Sequence, residues 1–152
     1  MDEIARIKDQ IEKAFYGGAW HGLSILEILN GLSSKKAALK PVAGAHSIWE
    51  IVLHIYAWQN AVKRRLQGDP AKLTDEEDWI QIKDFTDLAW NKDLLKLRES
   101  IDELIKEVMK LDNVKLEEKA TGQTYSNYFM LHGLIQHESY HAGQIALLKK
   151  NL

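Results

Sequence analysis

The chain has 152 residues, 45% hydrophobic and 28% charged, which is the composition of a folded globular protein and predicts a single domain over residues 1–152. A formal net charge of −2, with no cluster of basic residues, argues against binding to nucleic acid. Because the sequence has no cysteine, disulfides and thiolate metal sites are excluded, and nitrogen and oxygen remain as the strong metal ligands.

The first part of the chain predicts helix that is interrupted by glycine. Apolar residues recur at helical spacing near the start, at Ile4, Ile7, Ile11 and Phe15. This first segment ends at Gly17-Gly18, and a second piece runs from about Trp20 to Asn30 before Gly31 stops it. We expect the two pieces to form one long helix that is broken or kinked at the glycine pair.

The middle of the chain predicts a strong helix followed by a long connection. Ser47 is placed to cap a helix from Ile48 to Leu66, which Gly68-Asp69-Pro70 closes. Residues 71–90 are less regular, and we interpret them as a long connection with a turn of helix at most. The acidic run at 75–78 within them is expected to be a solvated loop.

Two further helices complete the predicted fold. Apolar residues repeat in alternating steps of three and four from Leu94 to Leu111, the pattern of a packed bundle helix that ends near Asn113. After a loop marked by Gly122, the last helix runs from about Ser126 to Lys149. The sequence therefore predicts an all-α protein, an antiparallel four-helix bundle with a long connection between its second and third main helices.

Two histidines four residues apart lie on the apolar face of the last helix. His137 and His141 share the stripe formed by Met130, Leu134, Ile145 and Leu148. Burying two polar rings one turn apart is costly unless each finds a partner, and a metal ion satisfies both at once. The alternative is a pair of core histidines that are hydrogen-bonded to hydroxyl or backbone groups.

The helix over residues 48–66 offers a third histidine. His54 lies roughly 90° from the centre of the apolar stripe, on a shoulder beside Trp58 that can reach a neighbouring helix. Its role as a ligand and an ordinary structural role stay equally open. Glu50, one turn earlier, is compatible with a fourth ligand, with a carboxylate that orients the imidazole, or with a charge near the helix start. The remaining histidines, His21, His46 and His132, lack a partner at helical spacing and are expected to be structural. His21 is also suited to lining a cleft.

Three segments together resemble a known family. They are Ala19-Trp20-His21-Gly22, the stretch from Ala45 to Ile51 that leads into His54, and the stretch from His137 to Ile145. They resemble the DinB/YfiT-like family of metal-binding four-helix bundles over nearly the whole chain. The resemblance implies that one histidine of the second main helix and two of the fourth hold one divalent metal ion, which here are His54, His137 and His141.

The resemblance also implies what such a site does. Three neutral imidazoles suit zinc or nickel and leave a coordination position open, as in catalytic sites. Some family members are thiol transferases that use bacillithiol, mycothiol or glutathione, and others are thiol-dependent isomerases or amide hydrolases. A small-molecule substrate and a low-molecular-weight thiol are thus implied as partners. The rival hypothesis is a non-catalytic, stress-associated scaffold that the metal only braces, with a fourth protein ligand in a dry core.

Further expectations concern the pocket and the chemistry beside the metal. An open coordination position is expected to face a pocket at the first helix and the start of the second, with Trp20, His21 and Trp58 as its walls. No base is paired with a nucleophile in the sequence, Glu138 and Tyr140 being the nearest candidates.

Assembly and location follow from apolar surfaces. One side of the 48–66 helix carries Trp49, Leu53 and Tyr56, opposite the main apolar stripe, so we predict a homodimer that buries this side unless residues 71–90 cover it. The N-terminus lacks the features of a secretory signal, and no apolar run approaches the ~20 residues of a membrane span. We therefore expect a cytoplasmic protein that does not bind a membrane.

Overall fold

The computed structural model describes residues 2–152 and is helical, with no strand over that range. Its helices, in chain order, are α1 (Glu3–Phe15), α2 (Ile25–Leu29), α3 (Ser34–Ala38), α4 (Ile48–Leu66), α5 (Asp75–Asp78), α6 (Asp87–Val108), α7 (Asn113–Glu117) and α8 (Asn127–Lys149). The all-α prediction is confirmed. None of the helices in the described part of the chain is long and apolar enough to cross a membrane.

The four long helices contact one another in a closed cycle, because α4 packs on both α6 and α8, and α1 packs on the same two helices. Trp49 near the start of α4 donates to Asp93 near the start of α6, at 2.9 Å, and Lys63 farther along α4 pairs with Glu103 at 2.5 Å. These contacts mean that α4 and α6 run in the same direction. The long connection over residues 67–86 therefore returns the chain to the end from which α4 started.

Helix α4 has the bounds that the sequence predicts, and its first turn explains why. The Ser47 side chain accepts from the Glu50 backbone N–H at 3.2 Å, while the Glu50 carboxylate accepts from the Ser47 N–H at 2.7 Å. This reciprocal capping box satisfies two backbone donors that the helix itself leaves unpaired. Glu50 also pairs with Lys40 at 2.9 Å, so its carboxylate is committed to the helix start.

The prediction of a helix that starts near Trp20 and continues the first helix is wrong, although its predicted end at Asn30 is confirmed. Helix α2 begins at Ile25, not near Trp20, because Ser24 forms its own capping box with Glu27 and starts a new helix there. Gly18 adopts a positive φ of +81°, a conformation that continues no right-handed helix. The intervening residues form a loop in which the Trp20 side chain is fully exposed, so α1 and α2 are separate helices.

The connection between α4 and α6 ends four residues earlier than the sequence predicts and contains a short helix. The Thr86 side chain accepts from the Ala89 N–H, so α6 starts at Asp87 and takes the last residues that were assigned to the connection. The turn of helix expected within the connection is α5, which a capping box between Thr74 and Glu77 starts.

The second apolar side of α4 is covered within the chain. Trp49 and Leu53 are buried and Tyr56 is half-buried, mainly against α6, and Ile80 and Ile82 of the connection pack against the same core. The exposed face from which a homodimer was predicted is therefore absent. The homodimer itself stays a prediction without that support, and light scattering would distinguish it from a 17.4 kDa monomer.

The capping box of α4 is expected to contribute measurably to stability. Replacing Ser47 with Ala should lower the free energy of unfolding by about 1 kcal/mol, because the Glu50 N–H loses its acceptor. Urea denaturation followed by circular dichroism measures this. As a control, Glu50→Gln keeps both acceptors of the box and should cost less than Ser47→Ala; an equal or larger cost would contradict the capping role.

Candidate metal site

Three imidazole rings meet between α4 and α8. The Nε2 atom of His137 lies 3.0 Å from Nε2 of His54 and 3.1 Å from Nε2 of His141. In the part of the chain that the structure describes, these residues form the one group of three metal-ligating side chains, with ligand atoms within 4.8 Å of one another. The structure thus brings together all three histidines that the sequence nominated, and it leaves Glu50 outside the group.

The outer nitrogens of two rings face hydrogen-bond acceptors. Nδ1 of His141 lies 2.6 Å from Oε1 of Gln144, and Nδ1 of His54 lies 3.0 Å from the backbone oxygen of Asp78 and 2.9 Å from its Oδ1. Since these oxygens only accept, each Nδ1 carries the proton and each Nε2 presents a lone pair. The lone pairs of His54 and His141 thus both face Nε2 of His137, at 3.0 and 3.1 Å, and either a proton on that nitrogen or a cation among the three rings satisfies them.

The ring positions and protonation fit a tetrahedral divalent ion. Metal–nitrogen bonds of about 2.0–2.1 Å place neighbouring ligand nitrogens about 3.3 Å apart, close to the separations found here. Burial and the neighbouring histidines lower the pKa of His137 to about 3, and burial lowers that of His141 to about 4. Both rings are therefore neutral at physiological pH, the form that binds metal. Nδ1 of His137 is buried without a partner among residues 2–152.

The connection between α4 and α6 closes over His54. Asp78 accepts from Trp58 Nε1 at 2.7 Å as well as facing His54, and the ring of Trp79 stacks on that of His54 with centroids 4.1 Å apart. The other side of Trp79 stacks on His46 at 3.5 Å. The expectation that the acidic run 75–78 is only a solvated loop is therefore wrong at Asp78. The unrecognised signal was the Thr74–Glu77 capping box, which starts α5 immediately before the site.

An apolar cavity of about 220 Å³ lies along the groove between α4 and α8. Trp58, Val62, Met130 and Leu134 form its walls, and it reaches His137. Trp58 is thus a wall residue as predicted. The prediction of Trp20 and His21 as the other walls is wrong, because both are exposed in the loop before α2.

The two candidate bases lie away from this cavity. Glu138 is fully buried where α8 faces α4 and α6: its Oε1 accepts from Gln59 Nε2 of α4 at 2.8 Å, and the Ser100 hydroxyl of α6 donates to Gln59 in turn. Burial raises the pKa of Glu138 to about 8. The Tyr140 side chain is mostly exposed and its hydroxyl accepts from Gln144 at 3.2 Å. Neither residue faces the cavity.

Comparison with known proteins identifies a family for most of the chain. A family model described as the DinB superfamily matches residues 20–145, a range that includes the three histidines, Asp78 and the cavity. No curated protein and no solved structure matches the chain.

The buried carboxyl group of Glu138 is expected to make stability depend on pH. The folded protein keeps this proton between about pH 4.5, the ordinary pKa, and about pH 8, whereas the unfolded chain has released it. Stability conferred by the neutral acid is therefore lost as pH rises through this window, with a limiting slope of about 1.4 kcal/mol per pH unit. Glu138→Gln keeps the acceptor for Gln59 and removes the titration.

The measurement is urea denaturation of both metal-free proteins between about pH 5 and about pH 8. The unfolding free energy of Glu138→Gln minus that of the wild-type protein should increase as pH rises. All other ionisable groups are the same in the two proteins and cancel in the difference, so parallel curves for the two proteins would contradict the prediction.

Proposed function

The chain belongs to the DinB superfamily, and on that basis we propose that it is an enzyme that holds one divalent ion, zinc or nickel, at His54, His137 and His141. The observation that carries the proposal is the convergence of three Nε2 atoms beside a cavity that reaches His137. Three protein ligands leave a position for a substrate, which is the arrangement of catalytic rather than structural sites.

The donor set and the cavity favour thiol transfer or hydrolysis on a small molecule. Three imidazoles suit zinc and nickel better than calcium or magnesium, which take oxygen ligands. A divalent ion in such a site supplies a Lewis acid that lowers the pKa of a thiol or water, so that a nucleophile is available near neutral pH. A thiol group is less strongly hydrated than a water molecule, so apolar walls beside the ion favour a thiol over water as the nucleophile.

The protein's own residues orient the ligands and keep water away. Asp78 fixes the ring of His54 and Gln144 fixes that of His141, which leaves Nε2 of each free to bind. Trp79 covers one side of His54, and Trp58 separates that ring from solvent on the cavity side. The substrate is held in the cavity with its reacting atom toward His137.

We expect the purified protein to carry about one divalent ion per chain, and His137→Ala or His141→Ala to remove most of it, because two imidazoles bind far more weakly than three. Asp78→Asn should weaken metal affinity about 10–100-fold while keeping the ligands, since it loosens the ring of His54. Elemental analysis and competition with a chromophoric chelator measure both.

His132→Ala is the matched control, because it removes an imidazole from the same helix that lies outside the cluster, and it should leave the metal content unchanged. Metal stoichiometry that survives both His137→Ala and His141→Ala would refute the site.

The chemistry is tested with the cobalt-substituted protein. Titration with glutathione, bacillithiol or mycothiol is expected to produce a sulfur-to-cobalt charge-transfer band with at least one of them, because a thiolate is a better ligand than water for such an ion. If no thiol produces the band and the site exchanges no small anion, the metal only braces α4 against α8, and the scaffold hypothesis replaces the enzyme.

A further inference from the structure

Arg65, in the last turn of α4, is a buried cation without a counter-charge. Its side chain is only 5% exposed, yet no carboxylate lies within ion-pair distance of it among residues 2–152. The preceding residue, Arg64, is exposed and pairs with Asp69 at 2.7 Å. Burying a cation is costly unless charge and hydrogen bonds compensate, so the position of Arg65 needs an explanation.

The contacts that Arg65 makes within the chain leave donors unused. Its Nε donates to the backbone oxygen of Ala71 at 3.0 Å, and Nη1 donates to the Tyr125 hydroxyl at 3.2 Å. The guanidinium carbon lies 5.6 Å from the ring centre of Trp58, a cation–π contact. The two hydrogen bonds use a minority of the guanidinium donors, and none of these groups carries negative charge.

Arg65 lines the same cavity that reaches His137. It is the one lysine or arginine among the described residues of the lining, and no acidic side chain is among them. The ring of Trp58 lies between the two, 5.6 Å from the guanidinium carbon of Arg65 and 6.0 Å from the ring centre of His137. At about 220 Å³ the cavity exceeds the ~150 Å³ that accommodates a benzene ring.

A glycine keeps this space open. Gly133 lies in the middle of α8 and lines the cavity, and a Cβ atom added there would meet nothing within 4 Å. Glycine in a helix interior is less stable than alanine, and packing does not require it at this position. A side chain at residue 133 would instead occupy the cavity between Arg65 and His137.

We propose that the cavity binds a small organic carboxylate, with its carboxylate on Arg65 and its reacting end at His137. The planar guanidinium matches a carboxylate through two parallel hydrogen bonds, and its single charge balances a monoanion. The substrate class is thus a small molecule whose apolar body separates a carboxylate from the reacting atom. The proposal rests on the proposed function for the chemistry at His137, whereas the carboxylate subsite depends on the cavity alone.

The test compares 3-phenylpropanoate with 3-phenylpropanamide, which have the same shape and differ in charge. Isothermal titration calorimetry on the zinc-loaded protein is expected to give about tenfold or tighter binding of the carboxylate. Arg65→Met should bring the affinities of the two compounds together while the zinc content stays unchanged. The carboxylate preference should persist in chelator-treated protein, because Arg65 and not the metal sets it.

A matched pair of variants locates the binding and does not depend on the stability of Arg65→Met. Gly133→Leu should abolish binding of both compounds, whereas Gly143→Leu, on the same helix outside the cavity lining, should leave both affinities unchanged. Equal binding of the two compounds to the wild-type protein, or a preference that survives Arg65→Met, would overturn the proposal.

The two proposals fail separately. A protein that binds zinc and shows no carboxylate preference overturns the subsite and leaves the metal site standing. A protein that prefers the carboxylate but never holds a metal supports the subsite and refutes the proposed function.

Discussion

The arrangement of the site depends on one constraint, that three imidazoles share a small buried space between α4 and α8. Nε2 of His137 lies 3.0–3.1 Å from Nε2 of each of the other two rings. This geometry places His54 on α4 opposite the histidine pair on α8, and Asp78 of the connection holds the ring of His54 in place. A divalent cation among the rings would bond the two helices together beneath the connection.

Local sequence patterns predicted the helices that carry the site more accurately than they predicted the segments around those helices. Helix α4 has its predicted bounds because Ser47 and Glu50 form a capping box, and α8 starts within one residue of the prediction. The spacing of His137 and His141 placed both rings inside the fold. The periodicity placed His54 at the edge of the apolar stripe of its helix. His54 is buried because the connection packs over it, and the spacing of residues within α4 carries no information on that contact.

The features that the sequence did not predict depend on which segments of the chain pack against one another in the folded protein. In the sequence Asp78 is one residue of an acidic run, and only the position of α5 in the fold brings it against His54. Trp20, a predicted wall of the pocket, is exposed because a capping box starts α2 four residues later. Gly133 and Arg65 carry no motif, and their roles become visible only when α4 and α8 enclose a cavity between them. Buried polar groups and an interior glycine cost stability, and proteins retain such costs mainly at functional sites.

X-ray absorption spectroscopy of the zinc-loaded protein tests the central claim most directly, since it counts the ligands and identifies their atoms. We expect three imidazole nitrogens at about 2.0–2.1 Å and a fourth light atom that a thiol replaces with sulfur near 2.3 Å. Fewer than three imidazoles would contradict the assignment of His54, His137 and His141. A fourth protein ligand that no thiol displaces would contradict the open, catalytic site.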